Sequence, residues 1–143
     1  MNKTAIAIVL AGGVFAAALT TTVGAQATRS ANDGVFTADQ ATKGEGVYKE
    51  QCAACHGDNL EGSGPMPPLA GKDFLSNWQG KTVGDLFEKT QTSMPATAPG
   101  TLTPEQASQL MAYLLSVGKY PAGAMPISDK MDDLKTISID APK

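Results

Sequence analysis

The sequence predicts a small all-α domain, and three observations carry that prediction. One long segment has complete helix punctuation, two others open on capping patterns, and no alternating strand pattern comparable in strength occurs before the final residues. The strongest signal is "TLTPEQASQLMAYLLSVG": Thr103 stands as N-cap, Pro104 at the first helical position, Gln106 completes a capping box, and Gly118 follows the end. Ala107, Leu110, Met111, Leu114 and Val117 recur there at helical spacing, so one face of this helix is apolar.

The remaining elements follow in chain order. Thr37, with Gln40 three residues later, predicts a helix from about Ala38 to Cys52. Gly44 and Gly46 weaken that helix locally but permit close approach of another one. From Gly57 to Gly71 glycine and proline predict an ordered loop, and "AGKDFLSNW" then holds one short helix. Thr82 with Asp85 opens a further helix that places Val83, Leu86, Phe87 and Thr90 on one side, until "TSMPATAPG" breaks it. The tail from Tyr120 to Lys143 alternates Ile137 and Ile139 and is expected to lie over the core or trail from it.

At the other end, Lys3, the apolar or small run Thr4 to Leu19 and the Ala25-Gln26-Ala27 triplet read as an export signal, with cleavage expected after Ala27 and a periplasmic or otherwise exported product. The apolar run is shorter than the roughly 20 residues that span a bilayer, and no second candidate span follows. Residues 28–35 are expected to be a flexible linker, residues 36–119 the folded domain, and residues 120–143 a C-terminal extension. Without residues 1–27 the chain has 116 residues, with 10 basic and 14 acidic side chains. That balance argues against nucleic-acid binding.

The stretch "EQCAACHGDNLEGSGPMPPL" holds the chain's only two cysteines and its only histidine. A disulfide between Cys52 and Cys55 would close too short a loop to remove much chain entropy, so stapling does not explain the pair. A redox-active thiol pair calls for a βαβ pattern, which is absent, and a zinc site calls for more protein ligands than two Cys and one His. Cys52-Ala53-Ala54-Cys55-His56 instead has the C-x-x-C-H form of c-type haem attachment. Two thiols one turn apart can each add to a vinyl group of one haem c, and the adjacent His56 imidazole then becomes an axial iron ligand. The macrocycle also supplies apolar bulk to a small chain with only 6% aromatic residues.

Around this motif the chain resembles the class I c-type cytochromes over about residues 36–118. Tyr48 lies four residues before Cys52 and Gly44 eight before, matching the glycine and aromatic that the family's N-terminal helix presents to its C-terminal helix. "LMAYL" resembles the partner segment, with Leu110 and Tyr113 in the contacting positions. The resemblance implies terminal helices packed together around one covalent haem, and a proline carbonyl that orients the proximal imidazole. "PPLAG" assigns that carbonyl to Pro68.

It also implies a methionine as sixth ligand, for which Met66, Met94, Met111, Met125 and Met131 are available. If Pro68 reaches the proximal imidazole, Met66 is two residues and at most about 7 Å away, on the wrong face of the macrocycle. Met111 is better explained as core, and Met125 and Met131 lie beyond the family pattern. Met94, in a turn-rich loop between two helices, resembles the family's methionine-ligand position.

The implied function is a soluble monohaem electron carrier rather than an enzyme. "FLSNWQGKTVGDLFEKTQTSMP" followed by "LSVGKYPAG" resembles cytochromes found with bacterial quinoprotein dehydrogenases, so a periplasmic dehydrogenase is the expected donor and a terminal oxidase or another cytochrome the acceptor. Alternatives are a haem peroxidase or small-ligand sensor with a labile sixth ligand, and a thiol oxidoreductase without haem. "GKT", residues 80–82, is not a phosphate-binding loop, because Leu75 stands where that motif needs glycine. Phe74, Leu75 and Trp78 read as packing residues.

Overall fold

The computed structural model describes residues 28–143; the expected export signal lies outside the described residues. In order, the chain forms β1 (Arg29–Ser30), a single 3-10 turn (Ala31–Asp33), α1 (Ala38–Gln51), α2 (Ala53–His56), α3 (Gly71–Trp78), α4 (Val83–Ser93), α5 (Pro104–Val117), α6 (Met131–Leu134) and β2 (Ile137–Ser138). Among the described residues the only strands are these two, paired in parallel with Arg29 opposite Ile137, so the domain is essentially all-α.

The helices begin where their sequence punctuation places them. The hydroxyl of Thr37 accepts the Gln40 N–H at 3.2 Å. Thr82 and Asp85 cap α4 reciprocally, and Thr103 and Gln106 do the same for α5. Each such cap satisfies backbone donors that the first helical turn leaves unpaired, for a gain of about 1 kcal/mol.

The core centres on the packing of α1 against α5. A Cβ at Gly44 would lie 1.9 Å from the Gln109 carbonyl oxygen and 2.9 Å from the Tyr113 Cβ, so only glycine lets the two backbones meet. One turn on, the Tyr48 and Tyr113 rings pack with centroids 5.5 Å apart, a normal spacing for tilted aromatics. Leu110, Met111, Leu114 and Leu115 are buried beneath them. Gly46 has no such duty, since a Cβ there would meet nothing within 4 Å.

Residues 28–35, expected as a flexible linker, are instead folded. The Thr28 and Arg29 N–H groups donate to the Thr136 carbonyl at 2.9 and 3.0 Å, while Ala31 and Val35 are fully buried. Local composition hid this because the partner lies over a hundred residues away, in the tail. There Tyr120, Ile127, Leu134, Ile137 and Ile139 all join the core. The tail is thus part of the core rather than trailing from it.

The tail is also tied to α4. Lys135 Nζ donates to Asp85 Oδ1 at 2.6 Å and to Glu88 Oε2 at 2.8 Å, and its backbone packs against Gly84, where a Cβ would fall 2.7 Å from the Lys135 nitrogen. Partial burial works to raise the Asp85 pKa, but the Lys135 ammonium and the Thr82 donors outweigh it and hold the carboxyl below its usual range.

Two predictions follow from this packing. Gly44→Ala should destabilise the fold by about 2–3 kcal/mol through overpacking, lowering Tm by roughly 10 °C, whereas Gly46→Ala should stabilise it by up to about 1 kcal/mol. Because Asp85 has a lowered folded-state pKa, its contribution is fully present above the unfolded carboxylate value of about 4 and is lost as pH falls through the lower folded value. Lys135→Met should therefore flatten the acid limb of stability against pH while costing less than about 1 kcal/mol near neutrality, as read from denaturation midpoints.

Candidate functional site

The site is built where α1 hands over to α2. Cys52 caps α1 with its N–H bonded to the Tyr48 carbonyl at 2.8 Å, and the His56 N–H returns to the Cys52 carbonyl at 3.0 Å. This short helical turn sets Cys52 and Cys55 three residues apart on adjacent turn positions. Both are free thiols, Cys52 half-buried and Cys55 exposed. Burial, with neighbouring Cys55 adding to it, pushes the Cys52 thiol up to about 11. A catalytic thiol pair needs the opposite shift.

His56 is 6% exposed, and its Nδ1 lies 2.8 Å from the Pro67 carbonyl oxygen. A carbonyl can only accept, so this bond assigns the proton to Nδ1 and leaves the Nε2 lone pair available to a metal. The accepting residue is Pro67, not the Pro68 assigned from the sequence. Successive carbonyls of an extended chain point to opposite sides. The Leu69 N–H is turned back to the Leu60 carbonyl at 2.9 Å, which directs the Pro68 carbonyl away and the Pro67 carbonyl inward. In a Pro-Pro pair this choice depends on the following hydrogen bond, a signal the dipeptide alone does not carry.

Loop shape is enforced by glycines and by Tyr48. Gly57 and Gly62 have φ of 82° and 80°, and a Cβ on Gly62 would strike the Met66 carbonyl oxygen and the Pro68 nitrogen at 2.7 and 2.8 Å. The Tyr48 hydroxyl donates to the Gly57 carbonyl, and burial pushes its pKa up to about 12. This second role for Tyr48, holding the chain just past His56, was missed in the sequence reading, which saw only its helix contact.

Met94 comes from a separate part of the fold. It caps the C-terminal end of α4 in an extended conformation, with its N–H on the Thr90 carbonyl, and is half-buried. The competing methionines fall elsewhere: Met111 is fully buried core, while Met66 and Met125 are 37% and 71% exposed. Leu69, Phe74, Leu75 and Trp78 pack against the core but stay half-covered, and α3 fully buries none of its residues. A cavity of about 340 Å³ beside α3 is lined by Phe74, Leu75, Val117 and Tyr120 among others; Cys52, His56 and Met94 do not line it.

The donor set fits a covalently attached haem. Two uncommitted thiols, one imidazole with Nδ1 bonded and Nε2 available, and a soft thioether on another element are the ligand types such a group requires. Three or more clustered His, Cys, Asp or Glu side chains suited to a simple metal ion are not found among the described residues.

Comparison with known proteins agrees. The family described as Cytochrome C oxidase, cbb3-type, subunit III matches residues 39–114, from the start of α1 through most of α5. Thiosulfate dehydrogenase of Stutzerimonas stutzeri (strain A1501) is 36% identical over 81 residues, covering 52% of this chain and 26% of that protein. Cytochrome c of Nigella damascena is 29% identical over 99 residues, covering 54% of this chain and 89% of that one. The Cbb3-type cytochrome c oxidase subunit CcoP of Rubrivivax gelatinosus is 29% identical over 79 residues, with 54% and 26% covered. The chain therefore spans about a quarter of the length of the first and third of these relatives. With the helix pair, the C-x-x-C-H turn and the oriented imidazole all inside the matched segment, the chain belongs to this family of cytochrome c domains.

Proposed function

We propose that the chain is an exported monohaem cytochrome c that carries single electrons, with Cys52 and Cys55 attaching the haem and His56 and Met94 as its axial ligands. The observation that carries this reading is the His56 Nδ1 to Pro67 carbonyl bond, which frees Nε2 beside two unpaired cysteines. The bond fixes the ring and raises its basicity as a ligand. When bound, the haem supplies a one-electron Fe(III)/Fe(II) couple, and a methionine ligand favours the reduced state. The sequence carries one C-x-x-C-H motif, which supports attachment of one haem to this chain.

Electron flow from a periplasmic dehydrogenase to a terminal oxidase or another cytochrome extends this reading. The relatives include a protein named for thiosulfate dehydrogenation and one named as an oxidase subunit, which supports a place between a dehydrogenase and an oxidase. Among the described residues no helix is long and apolar enough to cross a membrane.

The decisive measurement is the absorption spectrum of the oxidised and reduced protein. The oxidised form should show the weak far-red band of sulfur-to-iron ligation, and Met94→Ala should abolish it and admit carbon monoxide to the reduced iron. A band that survives in Met94→Ala would remove Met94 from the iron. Haem that stays with the polypeptide through acid-acetone extraction is expected for the wild type and not for a Cys52→Ala/Cys55→Ala protein. Stopped-flow mixing with a reduced quinoprotein dehydrogenase should reduce the haem; no reduction would rule out that donor.

A further inference from the structure

We propose that the cavity beside α3 is a binding site for a compact organic anion, an aromatic carboxylate, separate from the residues that hold the haem. The cavity, of about 340 Å³, lies between the first turns of α3, the C-terminal end of α5 and the tail at Pro142. Of its walls, only the α3 residues fall inside the family segment, residues 39–114; Val117, Lys119, Tyr120 and Pro142 lie beyond it. The site is therefore completed by what this chain adds to that segment, and it does not depend on the Met94 assignment.

The walls are mostly apolar. Phe74, Leu75 and Val117 line the cavity while staying half-covered, and Tyr120 is buried with its ring edge 3.0 Å from where a Gly118 Cβ would stand. The Tyr120 hydroxyl donates to the Asp140 carbonyl, and the Asp140 carboxylate accepts from the Ser30 and Ser138 hydroxyls at 2.6 and 2.7 Å. These bonds fix the tail that brings Pro142 to the cavity. A preformed apolar cavity with two aromatic lining residues, Phe74 and Tyr120, suits a ring-bearing occupant.

The charged side chains of the lining are both cations. Lys72 and Lys119 are exposed, and among the described residues neither is in an ion pair. No acid lines the cavity: Asp73, next to Lys72, is not in the lining, and the Asp140 carboxylate is taken up by its two hydroxyls. Helix α3 also opens on Ala70 without the side-chain cap that α1, α4 and α5 each have, which leaves its first N–H groups to another acceptor. A Cβ on Gly71 would meet nothing within 4 Å, so approach to them is open.

Lys119 holds its place in an unfavourable conformation. Its N–H donates to the Ser116 carbonyl and the Tyr120 N–H to that of Leu115, at 3.0 and 3.1 Å, which is the Schellman ending of a helix. The left-handed position of that motif, φ 69° here, is the one glycine usually fills. A lysine there weakens the helix end relative to glycine, but it sets a cation at the cavity and offsets the negative end of α5.

Naphthoate titrated into nitrogen-labelled holoprotein tests the site by NMR. The amide signals of Gly71, Lys72, Gly118 and Lys119 should shift and saturate with a Kd below about 1 mM, while the haem absorption spectrum stays unchanged. Naphthalenemethanol, with the same rings and no charge, should bind about fivefold more weakly or worse. Lys119→Gly should raise Tm by about 2–4 °C yet weaken naphthoate about threefold, two changes that a purely structural lysine would not combine. Lys72→Gln should weaken it similarly, and Leu75→Trp, which fills the cavity, should abolish binding. The site is overturned by no saturable binding, by shifts confined to other residues, by equal affinity for the alcohol, or by a Lys119→Gly protein that binds naphthoate as the wild type does. A haem spectrum that changes with naphthoate would put the anion at the iron and overturn it as well.

Discussion

Everything in this molecule depends on two helices meeting at a glycine. At Gly44 the α1 backbone lies against the Gln109 carbonyl of α5, closer than any side chain would allow. That approach seats Tyr48 against Tyr113 and sends its hydroxyl to the Gly57 carbonyl. The same tyrosine therefore connects the helix crossing with the turn that follows His56. The helix crossing and the turn that carries His56 are joined through one side chain, so the two are packed as a unit.

The fold was legible in the sequence wherever the instruction was local. The caps at Thr37, Thr82 and Thr103 need only neighbours three residues away, and the structure uses all three. The turn that carries the C-x-x-C-H spacing was equally readable, and the structure forms it as α2. Of the two glycines that seemed to permit helix contact, only Gly44 faces α5, a distinction that requires knowing the partner's position. Residues 28–35 show the same limit more strongly. Their small polar composition resembles a linker, and their order comes from the Thr136 carbonyl and β2, contacts invisible to any local window.

The Pro67 assignment carries a subtler lesson. Family resemblance correctly placed a proline carbonyl against the imidazole, but chose between adjacent prolines without the one hydrogen bond, Leu69 to Leu60, that orients the peptide. Nearby, Leu60 is 2% exposed with φ of 62°, a left-handed conformation uncommon for a branched side chain. The loop that presents the accepting carbonyl is thus shaped jointly by a buried leucine, two glycines and two prolines, each leaving it fewer alternatives.

The pairing of β1 with β2 has a consequence beyond its four residues. It joins the start of the described chain to its far end, and both strands lie outside the segment shared with the cytochrome c family. The Ile139 N–H donates to the Lys81 carbonyl, and the Gly80 N–H to that of Ile139, so the same seam also grips the approach to α4. β1, β2 and the approach to α4 therefore share one hydrogen-bonded seam along the family segment, so opening either strand removes pairing from the other and from the residues that lead into α4.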